Sequence, residues 1–132
     1  MKSKLLASIA LAVSLLVVSV PLFAHHGGAA YDNTKVVMLS GTVVDFQYIN
    51  PHCIIHFDVK AADGSVQHWS MEAPPPSLMH RGSGWYADMI KPGDQIAVGL
   101  HAARNGSFVG KIAGGNGNLS VNGKPVKAET EE

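Results

Sequence analysis

Turn-forming residue pairs divide residues 36–126 into short segments, and this spacing limits the fold more than any other feature of the sequence. Short segments rich in Val, Ile, Phe and Trp that are bounded by Gly, Pro, Asn and Asp are typical of β-strands. The pairs that mark the turns are Asn50-Pro51, Asp63-Gly64, Pro92-Gly93, Asn105-Gly106 and Asn122-Gly123. The sequence therefore predicts an all-β domain.

Alternating apolar residues place five main strands between these turns. The predicted strands are 36–49, 52–61, 65–73, 95–103 and 108–113, with a short sixth pairing between 119–121 and 124–126. Ser77 is predicted to cap a short helix over 78–81, and a helical turn is predicted over 86–90. Three strands, a helical connection and two further strands indicate a small OB-type barrel of five to six strands. A small β-sandwich is the alternative.

The apolar residues of the first strand do not all lie on one face of an ideal strand. Val37 and Leu39 share one parity, whereas Val44, Phe46 and Tyr48 share the other. A β-bulge shifts the phase of a strand by one residue and bends it. We therefore predict a bulge near Ser40-Gly41, which would let this long strand contribute to both sides of a barrel.

The first 24 residues have the pattern of a cleavable signal peptide with a signal helix. Lys2 and Lys4 precede the uncharged stretch Leu5–Val20, and Ala24 is the small residue expected before the cut. A membrane helix needs about 20 apolar residues, so we expect no stable membrane anchor after cleavage and a periplasmic or secreted protein. The expected divisions are a signal peptide (1–24), a mobile N-terminal segment (25–35), a barrel (36–126) and a disordered tail (127–132).

The net charge argues against one class of partner, nucleic acid, and the cysteine content argues against an internal disulfide. Once Lys2 and Lys4 are removed with the signal peptide, eight basic side chains face ten acidic ones, so the net charge is near −2. A nucleic-acid-binding protein needs a basic surface to displace counterions, so we expect no nucleic-acid partner. Cys53 is the sole cysteine and cannot form an internal disulfide.

The histidines carry the clearest candidate chemistry, since seven of them occur in 132 residues. Cleavage after Ala24 would make His25 the N-terminal residue, with a free amine beside its own imidazole. His26 adds a second imidazole and an intervening amide nitrogen. Tetragonal sets of nitrogen donors suit Cu(II) or Ni(II), so copper is the first candidate ligand. The alternative is a frayed terminus with incidental metal affinity.

Further metal ligands would have to come from the barrel. His52 and His56 share a strand face, but four residues of extended chain separate their Cα atoms by about 13 Å, which is too far for one ion. A partner for His52 would therefore lie on another strand: Glu72 or His68 on the third, or His101 on the fourth. The alternative role for His52 is a hydrogen bond to the backbone after the turn.

Two other residue sets have simpler explanations than catalysis or metal binding. Trp69 and Met71 share a face, which would suit a Cu(I) thioether site, but core packing is the favoured interpretation. Cys53 lies on the apolar face of its predicted strand, and we interpret it as a small buried hydrophobic residue. A nucleophilic pair with His52 or His68 is therefore disfavoured.

No phosphate-binding loop, nucleophile elbow or His-Glu-x-x-His motif occurs in the sequence. We therefore expect a protein that is not an enzyme.

Several short motifs in fixed order give the chain a resemblance to a known family. They are His25-His26-Gly27, Gly41-Thr42-Val43, Asn50-Pro51-His52, Trp69 with Glu72, Gly84-Trp85, Lys91-Pro92-Gly93-Asp94 and Arg104-Asn105-Gly106-Ser107. In these the chain resembles a family of small exported bacterial proteins of unknown function. The resemblance implies a periplasmic or secreted location and no assigned activity.

Two functions remain open at this point. The first is an exported, non-enzymatic binding module that holds a transition-metal ion through His25, His26, His52, Glu72 and His101. The second is an envelope-associated domain that binds a small molecule or a protein partner of unknown identity. In the second case Trp85 and Tyr86, beside a Gly-rich loop, would be exposed and form the contact surface.

Overall fold

The computed structural model describes residues 28–126. The strands are β1 (Val37–Gln47), β2 (Cys53–Lys60), β3 (Val66–Ala73), β4 (Gln95–Ala102), β5 (Val109–Ile112), β6 (Ser120–Val121) and β7 (Lys124–Pro125). A short 3-10 turn, Gly28–Ala30, precedes β1, and the helix α1 (Pro76–Ser83) lies between β3 and β4. Each predicted strand is present, with ends within two residues of those expected. The predicted signal peptide, His25, His26 and the tail 127–132 lie outside the described residues.

The strands close into a barrel of the predicted OB type. Their hydrogen-bonded order is β1-β2-β3-β5-β4, and β4 pairs back with β1. The β3–β5 pairing is parallel, and the other pairings in the ring are antiparallel. The β6–β7 hairpin extends the sheet beyond β4. A single closed sheet excludes the alternative β-sandwich.

Strand β1 bends because it pairs with two partners in succession. Val37 to Thr42 pair with β4, and Thr42 to Gln47 pair with β2. The predicted bulge is present but lies between Val43 and Asp45 rather than at Ser40-Gly41, so its predicted position was wrong. Val43 is buried and Val44 is 52 % exposed. Hydrophobicity does not distinguish two consecutive valines, and the sequence pattern alone therefore placed the phase change too early.

Apolar side chains at alternate positions of the strands fill the barrel. Trp69 and Met71 are both buried there, which supports the interpretation that they pack in the core. Ile96, Val98 and Leu100 of β4 point inward as predicted.

The connection between β3 and β4 covers one end of the barrel. Three predictions made for this connection were wrong. Helix α1 begins at Pro76 after the cap position Pro75, with no side-chain cap, so Ser77 is not the N-cap. Residues 86–90 form a turn rather than a helical segment. Trp85 was predicted to be exposed and is fully buried, whereas Tyr86 is 56 % exposed. Between residues 28 and 126, no helix has the length and apolar character needed to cross a membrane.

Candidate functional site

The barrel brings His52 together with Glu72, one of its three predicted partners. His52 immediately precedes β2, and Glu72 lies on the outer face of β3, opposite Ile54 in the register. The His52 Nδ1 atom lies 2.9 Å from Glu72 Oε1, and the two side chains are 31 % and 29 % exposed. The pair is therefore accessible from solvent but partly shielded by the barrel.

The orientation of the His52 ring decides which nitrogen a metal would meet. Nδ1 donates its hydrogen to the Glu72 carboxylate, so Nε2 is the ring atom through which His52 would bind a metal. Metal-binding histidines usually donate their second ring N–H to a carboxylate or carbonyl, which fixes the tautomer and raises the basicity of the ligand. In this arrangement Glu72 can orient the His52 ring, and its role as a direct metal ligand stays a prediction.

A third residue, Tyr31, joins this pair and was not anticipated from the sequence. Its hydroxyl donates to Glu72 Oε2 over 3.4 Å. Burial of the phenol, together with the charge of Glu72 and the hydrogen bond to it, raises the pKa of Tyr31 above its ordinary value. Tyr31 therefore remains a protonated donor at neutral pH. We refer to His52, Glu72 and Tyr31 as the carboxylate cluster.

Tyr31 belongs to a segment that lies along the end of β4, which we call the strap (residues 28–35). The Arg104 amide donates to Ala30 O over 3.0 Å, and the Asp32 amide donates to Ala102 O over 2.9 Å. Arg104 Nε also donates to Tyr31 O over 3.1 Å. These contacts place residues 28–35 on the barrel, and the mobility expected for residues 25–35 stays a prediction.

His101, another predicted ligand, lies apart from the carboxylate cluster. In the sheet register Glu72 pairs with Lys111, which pairs with His101. Two strand spacings put the Cα atoms of Glu72 and His101 about 10 Å apart. His101 Nδ1 instead donates to the Lys35 carbonyl over 2.7 Å and so contacts the strap.

The described part of the chain does not complete a metal site by itself. Across residues 28–126, no group of three or more His, Cys, Asp or Glu side chains is arranged to hold a metal ion. His25 and His26, the other predicted ligands, lie outside the described residues. The carboxylate cluster therefore provides one candidate ligand atom, His52 Nε2, and the means to orient it.

A second histidine–carboxylate pair lies on the outer face of the β2–β3 hairpin. His68 Nδ1 donates to Asp58 Oδ1 over 2.6 Å, and the His68 side chain is 80 % exposed. The two residues are directly opposite in the register. This pair could have been predicted from the sequence, because a hairpin turn at Asp63-Gly64 sets which residues of β2 and β3 face each other. His56 and Ser70 line a shallow depression beside the pair.

Cys53 has the environment predicted for it. Its side chain is fully buried, and burial raises the pKa of the thiol to about 11. A thiol in that state is neither a good nucleophile nor a good metal ligand, which agrees with the structural interpretation of this residue.

Comparisons with known proteins place the chain in one sequence family. A family model described as a family of unknown function, DUF6152, matches residues 12–112. The comparison with curated proteins found no match. Among solved structures, the chain is similar to Rim1, a mitochondrial single-stranded DNA binding protein from S. cerevisiae. That likeness has 9% sequence identity and a TM-score of 0.48, and it covers 66% of this chain and 92% of Rim1.

Proposed function

The chain belongs to the DUF6152 family of unknown function, and we propose that it is an exported, non-enzymatic module that binds a transition-metal ion, with Cu(II) as the first candidate. The observation that carries this proposal is the 2.9 Å contact between His52 Nδ1 and Glu72 Oε1. A carboxylate that holds one ring nitrogen directs the other toward a ligand. In the proposed site, Glu72 would thus fix the orientation of the His52 ring.

The remaining ligands in this proposal come from the mature N-terminus. His25 would supply its α-amine and imidazole, and His26 would supply an amide nitrogen or a second imidazole. His26 precedes Tyr31 by five residues, a length of chain that spans up to about 17 Å. Because Tyr31 itself contacts Glu72, this length of chain is sufficient for the proposed terminal ligands to reach His52.

The chemistry of these donors favours Cu(II) over other ions. Amine, imidazole and amide nitrogens together form the tetragonal nitrogen set that Cu(II) prefers. A mature chain with a net charge near −2 is poorly suited to nucleic acid, so nucleic acid is not the proposed ligand. The protonated, buried Cys53 thiol likewise supports a binding role rather than nucleophilic catalysis.

The site depends on where the signal peptide is cut. We predict cleavage between Ala24 and His25, because Ala24 is a small residue that follows the apolar stretch. The intact mass of protein recovered from the periplasm of an expressing bacterium measures this directly. A mature chain that begins at any other residue would lack the amine–imidazole chelate of His25 and would remove the proposed terminal ligands.

A second prediction concerns copper affinity. We expect His52→Ala to weaken Cu(II) binding by the mature protein about tenfold, equivalent to about 1.4 kcal/mol, because one imidazole ligand is lost. An N-terminally acetylated variant with one residue added before His25 should also bind more weakly, since the α-amine becomes an amide while every side chain is kept. Calorimetric titration against a competing chelator measures these affinities.

His68→Ala is the matched control for His52→Ala. It removes the histidine of the other histidine–carboxylate pair on β2 and β3, which lies away from the proposed site. Its Cu(II) affinity should equal that of the unmodified mature protein. Equal affinities for the mature protein, the blocked variant and His52→Ala would contradict the proposal.

A further inference from the structure

Two basic side chains, Lys35 and Arg104, line one cavity where the strap meets the end of β4. The cavity has a volume of about 360 Å³, and its other lining residues are Asp32, Val37, Ala102 and Ala103. Small-molecule sites in proteins have volumes of about 300–1,000 Å³, so the cavity is large enough for a small ligand. None of its lining residues belongs to the carboxylate cluster.

The two basic side chains of the cavity are not neutralised by direct ion pairs. Within residues 28–126, neither Lys35 nor Arg104 forms an ion pair with a carboxylate. Asp32 Oδ1 accepts from the Thr34 hydroxyl over 2.6 Å and from the Thr34 amide over 3.1 Å. These hydrogen bonds, and then the charges of Arg104 and Lys35, lower the pKa of Asp32 below its ordinary value. Asp32 is therefore ionised at neutral pH, and the two cations leave the cavity with a net positive charge.

Hydrogen bonds between the strap and the end of β4 hold these charged residues in place. Arg104 Nε donates to Tyr31 O over 3.1 Å, which uses only one of the guanidinium N–H groups. The Lys35 amide donates to Asp32 O over 3.3 Å, and the Lys35 carbonyl accepts from His101 Nδ1 over 2.7 Å. A site whose backbone is already ordered loses less conformational entropy when it binds a ligand.

We propose that this cavity binds a small organic molecule that carries one carboxylate and a short aliphatic chain. Arg104 binds the carboxylate through parallel N–H groups, a geometry that the planar guanidinium provides. Lys35 adds a second positive charge. The aliphatic chain lies against Val37, Ala102 and Ala103, which are apolar and partly buried. This site requires no metal and does not depend on the proposed function.

The lining of the cavity favours an organic carboxylate over an inorganic oxyanion. The side chains of Val37, Ala102 and Ala103 carry no hydrogen-bonding group, so the part of a ligand that contacts them is apolar. Asp32 lines the same cavity and repels a phosphate dianion more strongly than a monocarboxylate. A ligand with a single negative charge and an aliphatic chain therefore matches both features of the lining.

The first arm of the test titrates the metal-free mature protein with butyrate at constant ionic strength and follows the backbone amide signals by NMR. We expect saturable changes at the amides of Asp32, Lys35 and Arg104. 1-Butanol, which has the same chain without the charge, should produce no saturable change, and inorganic phosphate should bind more weakly than butyrate. An equal response to 1-butanol, tighter binding of phosphate, or unchanged amides with butyrate would overturn the assignment of a carboxylate ligand.

The second arm changes the charges of the cavity one at a time. Arg104→Gln should weaken butyrate binding about tenfold, since a charge-assisted contact is lost. Lys35→Gln should weaken it about threefold, as expected for an exposed charge. Asp32→Asn should strengthen binding about twofold, because the repelling carboxylate is removed while the side-chain oxygen can still accept from Thr34. Weaker binding in Asp32→Asn would contradict an anionic ligand.

Lys124→Gln is the matched control for Lys35→Gln, because it removes the same charge at the other end of β4. Lys124 pairs with Val121, which pairs with Ile96. The rise of an extended chain puts Ile96 about 20 Å from Ala102. The butyrate affinity of Lys124→Gln should equal that of the unmodified protein. A loss as large as that in Lys35→Gln would show that only the total charge of the protein matters and would overturn the site.

The variants also separate ligand binding from attachment of the strap. Arg104→Gln removes the hydrogen bond to Tyr31 O, whereas Lys35→Gln and Asp32→Asn keep it. Weaker binding in Arg104→Gln with unchanged affinity in the other two variants would trace to the strap and contradict the proposal. Every titration is metal-free, so a failure of Cu(II) binding would remove the proposed function and leave this result intact.

Discussion

Replacing Trp85 with alanine is expected to lower the free energy of unfolding by about 3–5 kcal/mol, because a large, fully buried ring would leave a cavity that the barrel cannot refill. Trp85 has no exposed surface, and its ring meets Phe46 edge-on at a centroid distance of 5.9 Å. Its carbonyl accepts from the Tyr48 hydroxyl over 2.9 Å. Trp85 thus joins the connection between β3 and β4 to β1 through its side chain and to Tyr48, the residue that follows β1, through its backbone.

Two further variants separate the effect of volume from that of the indole N–H. In the described part of the chain, Trp85 Nε1 has no hydrogen-bond partner. Trp85→Phe therefore removes no hydrogen bond and should lower the free energy of unfolding much less than Trp85→Ala. Tyr86→Ala, at the exposed neighbouring position, should stay within about 0.5 kcal/mol of the unmodified protein.

Urea unfolding followed by far-UV circular dichroism measures all three variants without relying on tryptophan fluorescence. A small domain is stable by roughly 5–15 kcal/mol, so the expected loss in Trp85→Ala is a large part of the total. If Trp85→Ala cost no more than Tyr86→Ala, the ring would not support the end of the barrel as described.

Gly41→Ala is expected to lower the free energy of unfolding by about 1–3 kcal/mol, toward the upper end of that range, because an added methyl group would overlap with the backbone of β2. A Cβ atom at Gly41 would lie 2.3 Å from the Asp58 carbonyl oxygen and 3.1 Å from Phe57 Cδ2. Gly41 lies where β1 passes from its pairing with β4 to its pairing with β2. The backbone of β2 would have to move away from β1 beside the position at which β1 changes its pairing partner.

Gly82→Ala is the matched control for this substitution. Gly82 lies in α1, and apart from its chain neighbours and the adjacent backbone of the helix, a Cβ atom there would meet nothing within 4 Å. Alanine is favoured over glycine within a helix, so the control should be neutral or stabilising by up to about 1 kcal/mol. Urea unfolding of both variants makes the comparison. Equal free energies of unfolding for the two variants would mean that β1 and β2 can move apart at Gly41 without loss of stability.

The candidate site was partly predictable because it depends on strand pairing. The sequence limited the partners of His52 to Glu72, His68 and His101. A hairpin with its turn at Asp63-Gly64 then pairs Ile54 with Glu72, which brings Glu72 toward His52 at the start of β2. His101 was a weaker choice, since its distance from Glu72 depends on β5 lying between β3 and β4.

The sequence by itself determined the strands and turns, because these depend on neighbouring residues. A period of two places the apolar side chains of β2 on the inner face. Gly64 and Asn122 adopt the positive φ angles that tight turns require and that such residues tolerate. Sequence preferences of this kind act over a few residues, so they can be recognised without knowledge of the rest of the fold.

The tertiary structure alone decided how distant segments meet. Val43 rather than Val44 points inward because β1 must bend to pair with both β4 and β2. Trp85 is buried because the barrel has an open end that the connection after β3 covers. Tyr31 reaches Glu72 across 41 positions of the sequence because the strap lies along the end of β4. These contacts follow from closure of the barrel, which brings together residues whose local sequences carry no information about one another.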